Sequence, residues 1–206
     1  LAFNVLSSNV SLFSHFENPL DCCSSSFTAE EEKKCKRSSY SLYSSDEDMV
    51  IQAIAEAEEY CVEKKIRKSD VLIVVTDDFL LNSHVVKYLR DSNKPFVELQ
   101  SRNDYNNVAK AKSSNKFIVS GIDYVGGLEF DAVFILGVDK GCVPPRNNAK
   151  DGNYQFTNFA WHNRMYVAIS RAKYYLAMFG NSVNGASPVL ESAIANKILE
   201  YKDTLH

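Results

Sequence analysis

Apolar positions along the chain fall into two kinds of stretch, short continuous or alternating runs and longer segments carrying one stripe at helical spacing. "SYSLY" (39–43) alternates as a short strand. "SSDEDMVIQAIAEAEEYCVEKK" follows as a helix, with Ser45 able to cap it and acidic residues crowding its first turn, where they suit the helix dipole. Val50, Ile54, Ala57 and Cys61 recur at spacings of four, three and four, which places them on one face. "DVLIVV" (70–75) is a continuous apolar run of the kind found in parallel strands buried on both sides. A helix is then expected around "LLNSHVVKYLRDSN", followed by a short strand "PFVEL", a polar loop, and the strands "KFIVSGI" and "DAVFILGV". "NFAWHNRMYVAISRAK" reads as a helix and "YYLAMFG" as a strand. "SPVLESAIANKILEYKDTL" reads as a closing amphipathic helix opened by Ser187 and Pro188. Strands alternating with helices predict an α/β fold, with a mostly parallel central sheet and helices on both faces.

The first 38 residues read differently. "VLSSNVSLFSHF" has helical spacing through Val5, Val10 and Phe13, whereas "DCCSSSFTAEEEKKCKR" is polar and without period. Residues 1–38 are therefore expected to form a helical lead-in and a polar, charged loop, with the α/β domain occupying 39–206. The chain opens on Leu1 rather than methionine, which suggests a piece of a longer protein.

Composition narrows the function classes. The 206 residues suffice for one substantial core. With 45% hydrophobic and 24% charged residues and a net charge of −3, the chain offers no strongly basic face for nucleic acid, which leaves only a local basic patch for that purpose. No apolar run approaches the roughly 20 residues of a membrane span, and no secretory signal opens the chain, so no membrane partner and a cytoplasmic location are expected. Cys22, Cys23, Cys35, Cys61 and Cys142 form no CxxC pair and leave one cysteine over, which reads as reduced thiols.

Ligands of such sheets bind at the carboxyl ends of the strands, and three loops expected there carry suggestive residues. Thr76, Asp77 and Asp78 follow "DVLIVV"; two carboxylates there could hold magnesium, or simply cap the next helix. Capping is favoured, because neither GxxxxGK[ST] nor GxGxxG occurs to supply a phosphate site. The second loop opens "GGLEFDAVFILGVDKGCVPP" (126–145): Gly126 and Gly127 permit a sharp turn or a close approach to a ligand, and Glu129 could accept from sugar hydroxyls. The third is "RMYVAISRAK", in which Arg164, Ala168 and Arg171 are spaced four and three apart to share one face while Met165 and Ile169 pack elsewhere. An arginine at a rigid helix end can stabilise charge developing on a phosphoryl group, and otherwise forms a surface ion pair.

Taken together, GLEFD, an apolar strand, a "VPP" loop, then "RMYVAISRA" and another strand resemble the C-terminal RecA-like domain of superfamily 1 UvrD/Rep-type helicases. The resemblance spans about residues 40–181 and is sharpest over 126–173, where GLEFD corresponds to motif V and YVAISRA to motif VI. It implies ATP with Mg2+ bound between two RecA-like domains. A first domain of the same polypeptide would supply the P-loop and magnesium carboxylates that this chain lacks. By motif position, Arg171 would be the finger on the γ-phosphate, Glu129 and Gly127 would lie at the ribose, and Arg164 would belong with them to the cofactor-binding set while supporting the motif VI helix. Ser170 would hold the turn before Arg171. Ser120, Asp123 and Tyr124 would lie toward nucleic acid, single-stranded or duplex DNA, with RNA left open.

Departures from the family pattern sharpen the picture. Gly121, Asp123 and Gly126 stand where threonine, histidine and lysine are usual, and Asp123 would repel a phosphate. Thr76 and Asp77 stand where motif IV usually offers an arginine; Arg102, Lys112 and Lys116 could compensate from a nearby loop. The implied function is the second motor domain of an ATP-dependent helicase or translocase, inactive as an isolated chain. The alternative is a non-catalytic helicase-like module for protein or nucleic-acid binding. A receiver-like domain using Asp77 or Asp78 leaves YVAISRA unexplained.

Overall fold

The computed structural model describes residues 28–145 and 154–203, with backbone alone for 154–159. The apolar runs become seven strands: β1 Ser39–Tyr43, β2 Val71–Val75, β3 Phe96–Glu98, β4 Phe117–Gly121, β5 Phe130–Leu136, β6 Ala172–Asn181 and β7 Glu200–Asp203. They form one sheet in the order β3-β4-β2-β5-β6-β1-β7, and every pairing is parallel. The helices are α1 Ala29–Glu32, α2 Asp46–Lys64, α3 over 78–91, α4 Tyr105–Ser114, α5 Tyr154–Ile169 and α6 Glu191–Ala195. The middle of α3, Leu81–Val86, is π-helical.

Each central strand feeds two cores, which is why its sequence shows no polar alternation. On one face Leu72, Val74, Val133, Ile135, Leu176 and Met178 pack under α4, α5 and α6. On the other, Ile73, Phe134, Tyr175 and Phe179 pack under α2 and α3. The α2 stripe of Val50, Ile54, Ala57 and Cys61 is buried there as its spacing requires, and Ser45 accepts from Asp48 N–H at 3.0 Å to cap the helix.

Three sequence expectations are corrected by tertiary structure. The expected polar loop after β3 contains α4, capped by Asp104 accepting from Asn107 N–H (3.2 Å). Only Val108 and Ala111 of its ten residues are buried, so its apolar stripe is too thin to read as a helix. The expected long closing helix is only α6: Lys197 adopts a left-handed backbone (φ 55°), and the chain then extends as β7 beside β1. Glu200 N–H donates to Ser38 O (2.9 Å), so the open edge of β1 outweighs the helical spacing of 187–205. The tail of the polar run is anchored rather than a free loop. Thr28 and Glu31 form a reciprocal capping box, Lys34 pairs with Asp131 at 2.9 Å, and Tyr60 donates to Lys34 O (2.7 Å). The helical lead-in through Val5, Val10 and Phe13 lies outside the described residues. Among the described residues no helix is long and apolar enough to cross a membrane.

Buried Asp139 locks the loop after β5 to the end of β6. It accepts from Asn181 N–H and Asn184 Nδ2, both at 3.0 Å, and burial raises its pKa above the ordinary carboxylate range. Phe134 is fully buried between Phe179 and Tyr175, with ring centroids 6.2 and 5.7 Å away. Phe134→Ala is expected to lower stability by about 3–5 kcal/mol, measurable by chemical denaturation with an unchanged m-value.

Candidate functional site

The connection between β4 and β5 sets the site. These strands flank β2 and run parallel to it, so residues 122–129 must return from the carboxyl edge of the sheet to its amino edge. The five residues of β2 span about 17 Å, and an eight-residue connection reaches at most about 26–29 Å. A short crossing without a helix is therefore sufficient. It begins as a 3₁₀ turn, Ile122–Tyr124, and sinks Ile122 and Val125 into the core with Met165, Ala168 and Ile169 of α5.

Gly127 completes the crossing. Its φ of +77° is left-handed, and a Cβ there would stand 2.9 Å from Asn103 Oδ1. Glycine thus meets a backbone requirement, while the exposed Asn103 side chain can turn aside. Beyond it Leu128 and Glu129 reach the amino edge beside Arg171, which precedes β6. Phe130 N–H donates to Arg171 O at 2.9 Å, and Phe130 pairs with Ala172.

The carboxyl-edge expectation is therefore corrected for two of the three loops. Gly127, Glu129 and Arg171 sit at the amino ends of β5 and β6, because each precedes its strand. Thr76 and Asp77 do lie at the carboxyl end of β2, and both are engaged in the fold. Asp77 accepts from Leu80 N–H (3.0 Å) as a helix cap, and Thr76 donates to Gly137 O (2.7 Å). No cluster of three potential metal-ligating side chains occurs among the described residues.

Arg171 is folded against the turn that carries it. Its Nε donates to Val167 O (3.0 Å) and Ser170 Oγ (3.3 Å), one terminal nitrogen to Ser170 Oγ (2.9 Å), and the other to Leu128 O (3.2 Å). Ser170 Oγ donates in turn to Val167 O at 2.8 Å. The expected turn-holding role of Ser170 is thus visible, and the Leu128 contact joins GLEFD directly to SRA. Every one of these acceptors is uncharged. Glu129 is exposed, and its Oε2 stands 3.3 Å from Lys173 Nζ.

Arg164 belongs to a second cluster. Its Nε lies 2.9 Å from Asp123 Oδ1, and its guanidinium stacks 5.0 Å from the Trp161 ring centre. Arg102 Nε donates to Asp123 O (2.9 Å). Arg102, Asp123 and Arg164, with Ile122, Gly126, Asn163 and Val167, line a cleft of about 260 Å³; Lys112 and Lys116 do not. Tyr124 is exposed nearby, whereas Ser120 is fully buried and donates to Gly121 O (2.8 Å). Ala168 is also fully buried, alongside Met165 and Ile169, so it shares their core face rather than that of the arginines. Asn103, Trp161 and Lys173 escaped the sequence reading; a lysine two places after the arginine was the one visible signal.

A seven-stranded, all-parallel sheet with helices on both faces is the fold of a RecA-like helicase C-terminal domain. The chain belongs to the UvrD-like helicase C-terminal domain family, whose model matches residues 11–182. Its fold is similar to that of the C-terminal domain of a possible DNA helicase from Lactobacillus plantarum WCFS1, with a TM-score of 0.59 at 16% identity over 87% of this chain and 99% of that one. Domain 2 of the DEAD-box helicase Mss116p, bound to an RNA duplex, aligns with a TM-score of 0.47 at 12% identity over 82% of this chain and 64% of that one. No curated protein sequence matches the chain.

Gly127→Ala is expected to destabilise the domain by about 1–2 kcal/mol through its left-handed backbone, as read by paired thermal melts of the wild type and the variant.

Proposed function

We propose that this chain is the second motor domain of an ATP-dependent nucleic-acid helicase or translocase, supplying the arginine finger and the ribose contact to a nucleotide shared with a first RecA-like domain of the same polypeptide. The observation that carries the reading is the junction of Arg171 with Leu128 at one sheet edge, beside Gly127 and Glu129. These residues fit half a nucleotide site. A guanidinium suits phosphoryl oxygens and an exposed carboxylate suits sugar hydroxyls, while Mg2+ would be held by the other domain.

Arg171 engages by exchanging partners. Its present acceptors are neutral, and charge-assisted hydrogen bonds are about twice as strong as neutral ones. A phosphoryl oxygen brought by domain closure therefore draws the guanidinium off Leu128 O, while Ser170 and Val167 O keep its stem aimed. ATP would supply the bond whose hydrolysis releases that closure. Arg171 stabilises charge developing on the transferred group, Glu129 fixes the sugar, and opening lets the two domains step along a strand. Arg102, Arg164 and Tyr124 form the nucleic-acid side of this reading, with Arg164 also supporting the motif VI helix through Trp161. The free thiols of Cys35, Cys61 and Cys142 suit a cytoplasmic setting.

One observation favours a second reading. Asp123 places a carboxylate inside the cleft and neutralises Arg164, as expected of a non-catalytic helicase-like module that binds protein instead of a phosphate backbone.

The readings separate in two measurements. The purified 206-residue chain should show no ATP turnover; turnover above a buffer blank overturns the shared-site proposal. In the full-length protein, Arg171→Ala should lower kcat by roughly 10³-fold or more while nucleotide still binds. An unchanged kcat, or no ATPase in the wild type, supports the module instead.

A further inference from the structure

Lys173 is a charged residue at the sheet edge, beside Arg171 and Glu129, to which the proposed reaction assigns no part. It lies two places beyond Arg171, on the strand that pairs with the one Glu129 introduces, and its Nζ is 3.3 Å from Glu129 Oε2. The side chains of Lys173 and Glu129 are 44% and 64% exposed, and an ion pair so open to water adds little to folding stability. Its consequence is geometric. Glu129 otherwise carries a long, solvated side chain with several rotamers, a poor starting point for a directed hydrogen bond.

A carboxylate accepts at both oxygens. Lys173 engages Oε2 and leaves Oε1 available to a hydroxyl donor. We infer that Lys173 is a positioning residue for ribose recognition, holding the Glu129 carboxylate by one oxygen so that the other is presented to a sugar hydroxyl of the nucleotide. The inference rests on the assignment of Glu129 to the ribose proposed above. Arg171 and Lys173 thereby divide the edge by chemistry, the arginine for phosphate and the lysine acting on the sugar through its neighbour.

The test is equilibrium binding of ATP, 2′-deoxy-ATP and 3′-deoxy-ATP to the full-length protein, read by displacement of a fluorescent nucleotide. Lys173→Met should weaken ATP binding by about 3- to 10-fold and leave at least one deoxynucleotide almost unaffected, so that the preference for that ribose hydroxyl collapses. Lys173→Arg should restore it. Glu129→Ala should abolish the same preference, and the double variant should be no worse than Glu129→Ala alone, because the lysine acts only through the glutamate. Saturating kcat should change by less than about twofold if the lysine touches no reacting group. Lys173→Met that retains the hydroxyl preference, where Glu129→Ala loses it, overturns the role of Lys173 alone. Equal weakening of all three nucleotides by Lys173→Met overturns it in favour of a direct phosphate contact. Glu129→Ala that retains the preference overturns the ribose assignment itself.

Discussion

The hydrogen bond from Phe130 N–H to Arg171 O opens the β5–β6 ladder, and the candidate site is organised around it. GLEFD and SRA are separated by an apolar strand, a loop and a helix, and nothing local brings them together. Parallel pairing does so, because β5 and β6 must start at the same edge for their apolar faces to share the two cores. Once Phe130 and Ala172 are in register, Leu128 O is placed to accept from Arg171. The cores supply the driving force and the ladder supplies the register; the chemistry is a by-product of both.

The same constraint explains why the edge is polar while the strands are not. Residues before β5 and around the start of β6 lie outside the two-sided burial and can carry Glu129, Arg171 and Lys173 at little desolvation cost. Lys34 and Asp131 pair at this end of the sheet too, tying the polar segment before β1 to the first residues of β5. Motif residues thus sit where charge is tolerated, on strands whose interiors tolerate none.

The Asp123 cleft follows a different logic. A carboxylate where the family favours a base is held by Arg164 and by the Arg102 contact to its backbone oxygen, so two cations converge on one residue of the chain. Any polyanion entering the cleft must compete with a partner already covalently present. The pair is about half exposed, and exposed pairs contribute about 0–1 kcal/mol, so this competition is open to a phosphate. On the proposed nucleic-acid reading, the departure from the family pattern changes the terms of binding without closing the cleft.

Much of this was legible in the residues. Ser45 as a cap, the α2 stripe, the unbroken run 70–75 and the paired motifs are local patterns, each set by one element's own periodicity or backbone needs, and they sufficed for the fold class and the family. The helix α4 was hidden because two buried residues make no stripe, and β7 because the free edge of β1 decides its state, not its own spacing. The edge on which the site lies, the Arg164–Asp123 pair, the approach of Asn103 to Gly127 and the Lys173–Glu129 pair all join residues whose meeting depends on strand order. Sequence determined which residues can do the chemistry, since side-chain type and local period are its own property. Tertiary structure alone decided which of them meet, because that is set by the register and direction of strands brought together by burial.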